Sequence, residues 1–168
     1  MPSLGFSSVP GTFGKNQSQH INIVQPADVV TPLYTVSYAS GKAELKWNKN
    51  FKPVREQKYI TAQEWLDSEV LHDCEPFMPF LTGVLIFTGI SGTKVGSGTV
   101  SWTAPYARYQ YYGKVMIPSP FGGGKILTDR NLQYHGGGKR GAFWFERAKE
   151  VHKDRWIRGA AAIAAGSK

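Results

Sequence analysis

FKPVREQKYITAQEWLDSEVLHD, Phe51 to Asp73, reads as a helix, and the rest of the fold is arranged around it. Ala62, Leu66 and Val70, with Cys74 just beyond, fall four residues apart on one stripe, and Trp65 lies beside it. Glu64, Asp67 and Glu75 tend to the opposite, solvated side. Pro53 suits a first helical turn. A second start is written at Thr61, where T-x-x-E spacing to Glu64 makes a capping box and Ile60 and Trp65 flank it as a staple would. The pattern therefore allows one unbroken helix or a restart at Thr61. Either way Cys74 belongs to the core, and Pro76 and Pro79 close the segment.

Downstream, Leu85 to Ser91 and Thr99 to Ala104 read as paired strands around the glycine-rich turn Gly92 to Gly98, with Val100, Trp102 and Ala104 facing inward. The next stretch, TAPYARYQYYG from Thr103 to Gly113, reads as a third strand. Alternation puts Ala107, Tyr109 and Tyr111 on one face and Tyr106, Arg108, Gln110 and Tyr112 on the other. Gly113 to Ala142 holds two Gly-Gly-Gly runs and two prolines, and it reads as a long loop of the kind that is either functional or disordered. Ala142 to Ala165 is a second helix: Trp144, Ala148, Val151 and Arg155 keep its spacing, Phe145 and Trp156 widen the apolar face, and Gly166 ends it.

Upstream, residues 1 to 43 are dominated by Pro, Gly, Ser, Gln and Asn and read as an extended arm, with strand character at Ile21 to Val24 and Leu33 to Tyr38. A short strand is expected at Ala43 to Trp47. The expected organisation is an arm, 1 to 43, and one α+β domain, 44 to 168, with a loop insertion at 113 to 142. In that domain a small antiparallel sheet is flanked by an N-terminal and a C-terminal helix. The 168 residues, 41% of them apolar, suffice for one core. The apolar run Phe77 to Ile90 is interrupted too often to reach the roughly 20 residues of a membrane span. The N-terminus lacks a secretory pattern and the single cysteine can form no internal disulfide, so a reducing compartment is expected.

Charge is distributed unevenly. Thr61 to Glu75 carries five acids and no lysine or arginine; with a net charge of +8 overall, the remainder of the chain carries +13. Residues 44 to 60 supply five cations against two acids, 113 to 142 five against one, and 143 to 168 six against three. Such a chain can meet nucleic acid, an acidic partner, or its own acidic block on another copy. The sequence holds no enzyme signature. Neither Gly124-Lys125-Ile126 nor Gly138-Lys139-Arg140 supplies the Ser or Thr of a phosphate loop. His72 and Cys74 are two apart on a helix and face different sides. His20, His72, His135 and His152 have no partners at metal spacing. No catalytic residue, metal or cofactor is expected.

Six segments taken together resemble one family. They are LKWNKNF (45 to 51), AQEWLDSEVL (62 to 71), FMPFLTGVL (77 to 85), GSGTVSWTAPYARYQYYG (96 to 113), LTDRNLQYHGGGKRG (127 to 141) and FWFERAKEVHKDRW (143 to 156). This series is similar to the minor capsid proteins of tailed bacteriophages with long non-contractile tails, proteins that look like tail-completion proteins of the neck. The arm is outside the resemblance. What it implies is a virion protein, made in the bacterial host cytoplasm and sited at the head-tail junction. There it would form a six- or twelve-fold ring of its own copies between the connector or stopper and the tail terminator, letting DNA pass, with no membrane involved. The residues then expected to bind partners are Tyr106, Arg108, Tyr109, Tyr111 and Tyr112, with Glu69 and Asp73 on the acidic helix and Arg147 and Arg155 on the basic one. Lys125, Arg130, Lys139 and Arg140 are expected to face DNA or an acidic neighbour. The alternative from another class is a small basic nucleic-acid-binding protein that contacts DNA non-specifically.

Overall fold

The computed structural model describes residues 50–120 and 124–166, and upstream the strand segments 3–7, 17–24, 35–38 and 41–44. In chain order these form β1 (Ser3–Ser7), β2 (Gln17–Val24), β3 (Thr35–Tyr38), β4 (Gly41–Glu44), α1 (Phe51–Cys74) and a 3-10 turn (Glu75–Phe77). Then follow α2 (Val84–Gly92), β5 (Thr99–Trp102), α3 (Ala107–Tyr112), β6 (Lys114–Pro118), β7 (Lys125–Asn131) and α4 (Trp144–Ala165). The architecture is α+β, as expected, with a three-stranded antiparallel sheet in the order β1-β2-β5 and two separate hairpins, β3-β4 and β6-β7.

α1 runs unbroken from Phe51, so the capping-box spacing at Thr61 lies in mid-helix. Nothing between Lys58 and Thr61 interrupts the main-chain ladder, and a Ser or Thr with a glutamate three on marks a start only where the chain enters from outside. The stripe is where the spacing put it: Ala62, Leu66, Val70 and Cys74 are all fully buried. α4 packs antiparallel along α1, its last turn meeting the start of α1 where Lys58 Nζ donates to the Ala165 carbonyl at 3.3 Å. Phe145, Ala148 and Trp156 face α1 and the core, but Val151 and Arg155 are exposed, so the buried face is narrower than the residue spacing indicates. Gly166, at φ +85°, closes α4 in the left-handed conformation.

Gly159 shows how close the two helices come. A methyl group there would lie 2.1 Å from Cη2 of Trp65 on α1. Alanine is worth about 1 kcal/mol more than glycine in a helix interior, whereas overpacking a close contact costs about 1–3 kcal/mol. The overlap is severe enough for the second to win. Gly159→Ala should lower stability by about 1–2 kcal/mol in urea denaturation; a stabilised variant would mean that the Trp65 ring swings aside freely.

Three expectations are corrected. Leu85 to Ser91 is helical, not a strand. A short run rich in apolar and β-branched residues satisfies either period, and here Gly83 at φ +78° turns the chain so that Phe87 N–H bonds back to its carbonyl at 3.0 Å. Leu85 and Gly89, four apart, form the inner face. Gly89 rests on Trp102, where any Cβ would stand 2.5 Å from the indole nitrogen. β5 therefore pairs with β2, from Gln17 opposite Trp102 to His20 opposite Thr99. Val100, Trp102 and Ala104 are buried, as their alternation indicates.

The tyrosine segment is also helical, α3 following a turn in which Ala107 N–H bonds to the Ala104 carbonyl at 2.9 Å. Its inner face is the i, i+4 pair Ala107 and Tyr111; Tyr109 is turned partly outward. Gly113, at φ +69°, stops it. Finally, residues 113 to 142 are not one loop, since most of the first half is the β6-β7 hairpin, registered Lys114 to Asn131 and Pro118 to Lys125. The first glycine run, Gly122 to Gly124, comes between β6 and β7 in the sequence, and residues 121–123 lie outside the described residues. The second, Gly136 to Gly138, has positive φ throughout and folds back over the 3-10 turn, where Gly141 N–H bonds to the Phe77 carbonyl. The strand expected at Ala43 to Trp47 is found as Gly41–Glu44, and residues 45–49 lie outside the described residues.

Candidate assembly surfaces

The core fixes which aromatic and charged groups remain to meet a partner. It joins Leu66, Val70 and Cys74 of α1, Leu85 of α2, Val100 and Trp102 of β5, Tyr111 of α3 and Trp144, Phe145 and Trp156 of α4. Trp144 is held edge-on by Tyr111 and Trp102, at centroid distances of 4.7 and 5.6 Å. Burial pushes the Cys74 thiol well above its ordinary range, with Asp73 and Glu146 adding to the effect, so the thiol is an inert core group.

The tyrosines of α3 divide between core and surface. Tyr111 is buried and its hydroxyl donates to the Glu146 carboxylate on α4; burial first, and that hydrogen bond second, hold its acidity far below that of a free phenol. Tyr111 is thus a core residue that ties α3 to α4. Tyr106 and Tyr112 are exposed, Tyr112 lies under the Arg108 guanidinium at 6.0 Å, and Tyr109 sits under Lys125 Nζ at 5.6 Å. Phe143, just before α4, takes φ +53° and meets the Tyr111 and Tyr112 rings edge-on in a three-ring cluster. Tyr134 donates its hydroxyl to the Gln110 carbonyl, and burial pushes its pKa up to about 12.

Glu69, Asp73 and Arg155 meet one another within a single chain. Arg155 bridges Glu69 Oε2 at 2.6 Å and also pairs with Asp73, whose Oδ2 accepts a further hydrogen bond from Trp156 Nε1 at 2.6 Å. Burial opposes the Arg155 charge, but hydrogen bonds and charges from Asp73 and Glu69 outweigh it and raise the pKa. The acidic and basic helices complement each other inside the subunit because the antiparallel packing of α1 on α4 brings their charged faces together. Charge reversal at Glu69 or Asp73 therefore perturbs the fold of the subunit itself.

The four basic loop residues separate into two places. Lys125 and Arg130 are exposed on β7. Lys139 and Arg140 belong to the glycine turn, where Lys139 lies over the Phe77 ring at 5.6 Å with Arg147 on it at 5.8 Å. Arg140 donates to the Met78 and Glu75 carbonyls at 2.7 and 3.1 Å, so it closes the end of the α1 segment rather than reaching outward.

Two features escaped the pattern reading. Asp67, placed by periodicity on the solvent side, is fully buried, and its Oδ2 accepts the Gly96 and Gly98 amides at 2.8 and 3.2 Å while Gln63 bonds Oδ1 at 2.7 Å. The other is an apolar face formed by Phe80 and Leu81 and by Val84, Phe87 and Ile90 of α2, all exposed. The signal for it was present: no charged residue occurs from Pro76 to Thr93. Beside it a cleft of about 460 Å³ is lined by Phe80, Val84, Tyr106, Gln110 and Tyr134 among others.

Among the described residues no group of three or more His, Cys, Asp or Glu side chains could hold a metal ion. No helix among them is long and apolar enough to cross a membrane. Comparison with curated proteins and with solved structures returned no match. A family model described as minor capsid protein does match, over residues 39–164, about three quarters of the chain. That span takes in β4 and every later element through nearly all of α4, and so covers both helices of the α1–α4 pair and the surfaces they carry. The chain belongs to the phage minor capsid protein family and is a structural protein of the virion.

Proposed function

We propose that this minor capsid protein works as a ring of identical subunits at the head-tail junction, joining the connector or stopper to the tail terminator and leaving a passage for DNA. The observation that carries assembly is the exposed apolar face from Phe80 to Ile90. Monomeric proteins rarely present a contiguous apolar patch beyond a few hundred Å², and a structural virion protein has neighbours to cover it. The placement at the junction is supported by the ordered series of neck-like segments between residues 45 and 156. In this reading Tyr106, Arg108, Tyr109 and Tyr112 contact adjoining rings, and residues 44 to 168 form the ring body. Residues 1 to 43 act as an extension whose β2 strand is anchored on β5. The role is assembly, without covalent chemistry.

Electron cryo-imaging of intact particles, with the chain marked by a C-terminal tag, tests this. Density for the tag in a ring between portal and tail is the expected result; a tag found over the capsid faces or at the tail tip would sink the reading. The exposed cations Lys125, Arg130 and Lys139 favour a second reading, a nucleic-acid-binding protein. That reading expects the purified monomer to bind duplex DNA with an affinity that falls steeply with salt.

A further inference from the structure

We infer that copies of this chain join head to tail, the apolar face of α2 and its preceding loop on one copy seating in the groove between the start of α1 and the end of α4 on the next. The inference rests on the ring proposed above and names its contact.

The first half of the contact is a ridge. Val84, Phe87 and Ile90 project from α2 at three-residue spacing while Leu85 and Gly89 hold the other side of the helix to the core. Phe80 and Leu81 extend the ridge, and Leu81 is 91% exposed. The second half is a groove of about 450 Å³ floored by Phe51, Val54, Tyr59, Ala164 and Ala165. Phe51 and Val54 are each about half exposed although they sit in a concave site. A ridge and a groove are different patches, which is what a heterologous, ring-closing interface requires.

Their placement agrees. The groove lies at the first turn of α1, and the ridge follows the last turn after the short 3-10 segment. From Val54 to Cys74 the helix rises roughly 30 Å. One subunit therefore offers the two patches at opposite ends of its longest element, and they cannot meet within it. The groove is bordered by Arg55 and Lys58, with Lys52 adjacent. The ridge residues themselves are uncharged, and at their edges stand Glu75, in the same shallow pocket as Ile90, and the Arg140 guanidinium, which lies over the Phe80 ring at 5.3 Å. An apolar centre with charge confined to the rim is the composition of a specific interface, and Glu75 is the rim group suited to the cations of the groove. The five ridge side chains expose on the order of 500 Å² of apolar surface, a large part of the roughly 800 Å² per partner of a standard interface. Pairing α2 faces about a two-fold axis would instead stop at a dimer and leave the groove open.

Thiol cross-linking of purified particles tests the contact. Cys74 is fully buried and does not compete. Particles carrying Val54→Cys and Phe87→Cys in one chain should, on mild oxidation, give a ladder of covalent multimers that collapses on reduction, while neither single variant should. Dimers from Phe87→Cys alone would overturn the inference in favour of two-fold pairing, and so would a double variant that stays monomeric in particles where imaging shows the ring. A ladder from particles whose tag lies away from the junction would uphold this contact and refute the location. As a second measurement, purified Phe87→Asp chain should keep its circular dichroism and urea midpoint yet be depleted at least tenfold from particles. Incorporation at the parent level would count against the contact.

Discussion

Trp156→Ala should lower the unfolding free energy by about 3–5 kcal/mol, the cost of truncating a large buried aromatic side chain. Trp156 is fully buried, stacks on Phe145 at 6.3 Å and donates its indole N–H to Asp73. Truncation opens a cavity between α1 and α4 and removes one of the donors that hold the Asp73 carboxylate. Since a domain of this kind has only about 5–15 kcal/mol in hand, the variant should sit close to unfolding at 37 °C. Trp156→Phe separates the two contributions. It keeps most of the packing and loses the hydrogen bond, so its loss should be nearer 1–2 kcal/mol. Urea titrations followed by circular dichroism measure both; a Trp156→Ala midpoint equal to the parent's would show that α4 does not pack as described.

The second large effect is expected at Asp67. Asp67→Ala should cost about 2–4 kcal/mol, because the Gly96 and Gly98 amides lose their acceptor in a buried place. Asp67→Asn should cost much less, since one amide oxygen can accept both N–H groups and its NH₂ can bond a turned Gln63 side chain. The pair also isolates a pH effect. Desolvation raises the Asp67 pKa, only partly opposed by hydrogen bonds from Gln63 and from the Gly98, Gly96 and Ser97 amides. A raised folded value means that the folded chain keeps a proton that the unfolded chain has already released. The contribution of this group to stability therefore falls as pH rises from the ordinary aspartate value of about 3.9 through the raised value, and is level above it. Asp67→Asn lacks that slope, so relative to it the parent should lose stability over this window. Urea midpoints at several pH values from 4 to 7 decide the matter, and parallel curves for the two proteins would refute the buried carboxylate.

Both predictions fall on α1 and α4, the elements most plainly written in the residue order. Leu66, Val70 and Cys74 repeat at a spacing that only a helix turns to one side, and α4, which carries Trp144 and Trp156, ends at Gly166 in the left-handed turn. The alternation of Val100, Trp102 and Ala104 was equally plain, since burying every second side chain is a property of one strand and needs no knowledge of its partner. The family was legible too, because it resides in the order of short motifs along the chain.

What order alone left open was settled by contacts between distant residues. Leu85 to Ser91 and the tyrosine segment are too short for period to decide between helix and strand, and each became helical because its i, i+4 pair fills a place in the core: Leu85 with Gly89 against Trp102, and Ala107 with Tyr111 against Trp144. Asp67 went inside because a loop twenty-nine residues away needed an acceptor for its amides. Glu69 and Asp73, open to partners when read along the chain, were taken by Arg155 once α1 and α4 packed antiparallel. Periodicity and end signals act over one or two turns, and so a sequence can declare them locally. Which strand pairs with β5, which acid is buried and which apolar face is left over for a neighbour depend on what else fills the same volume, and that is known only when the whole chain is folded.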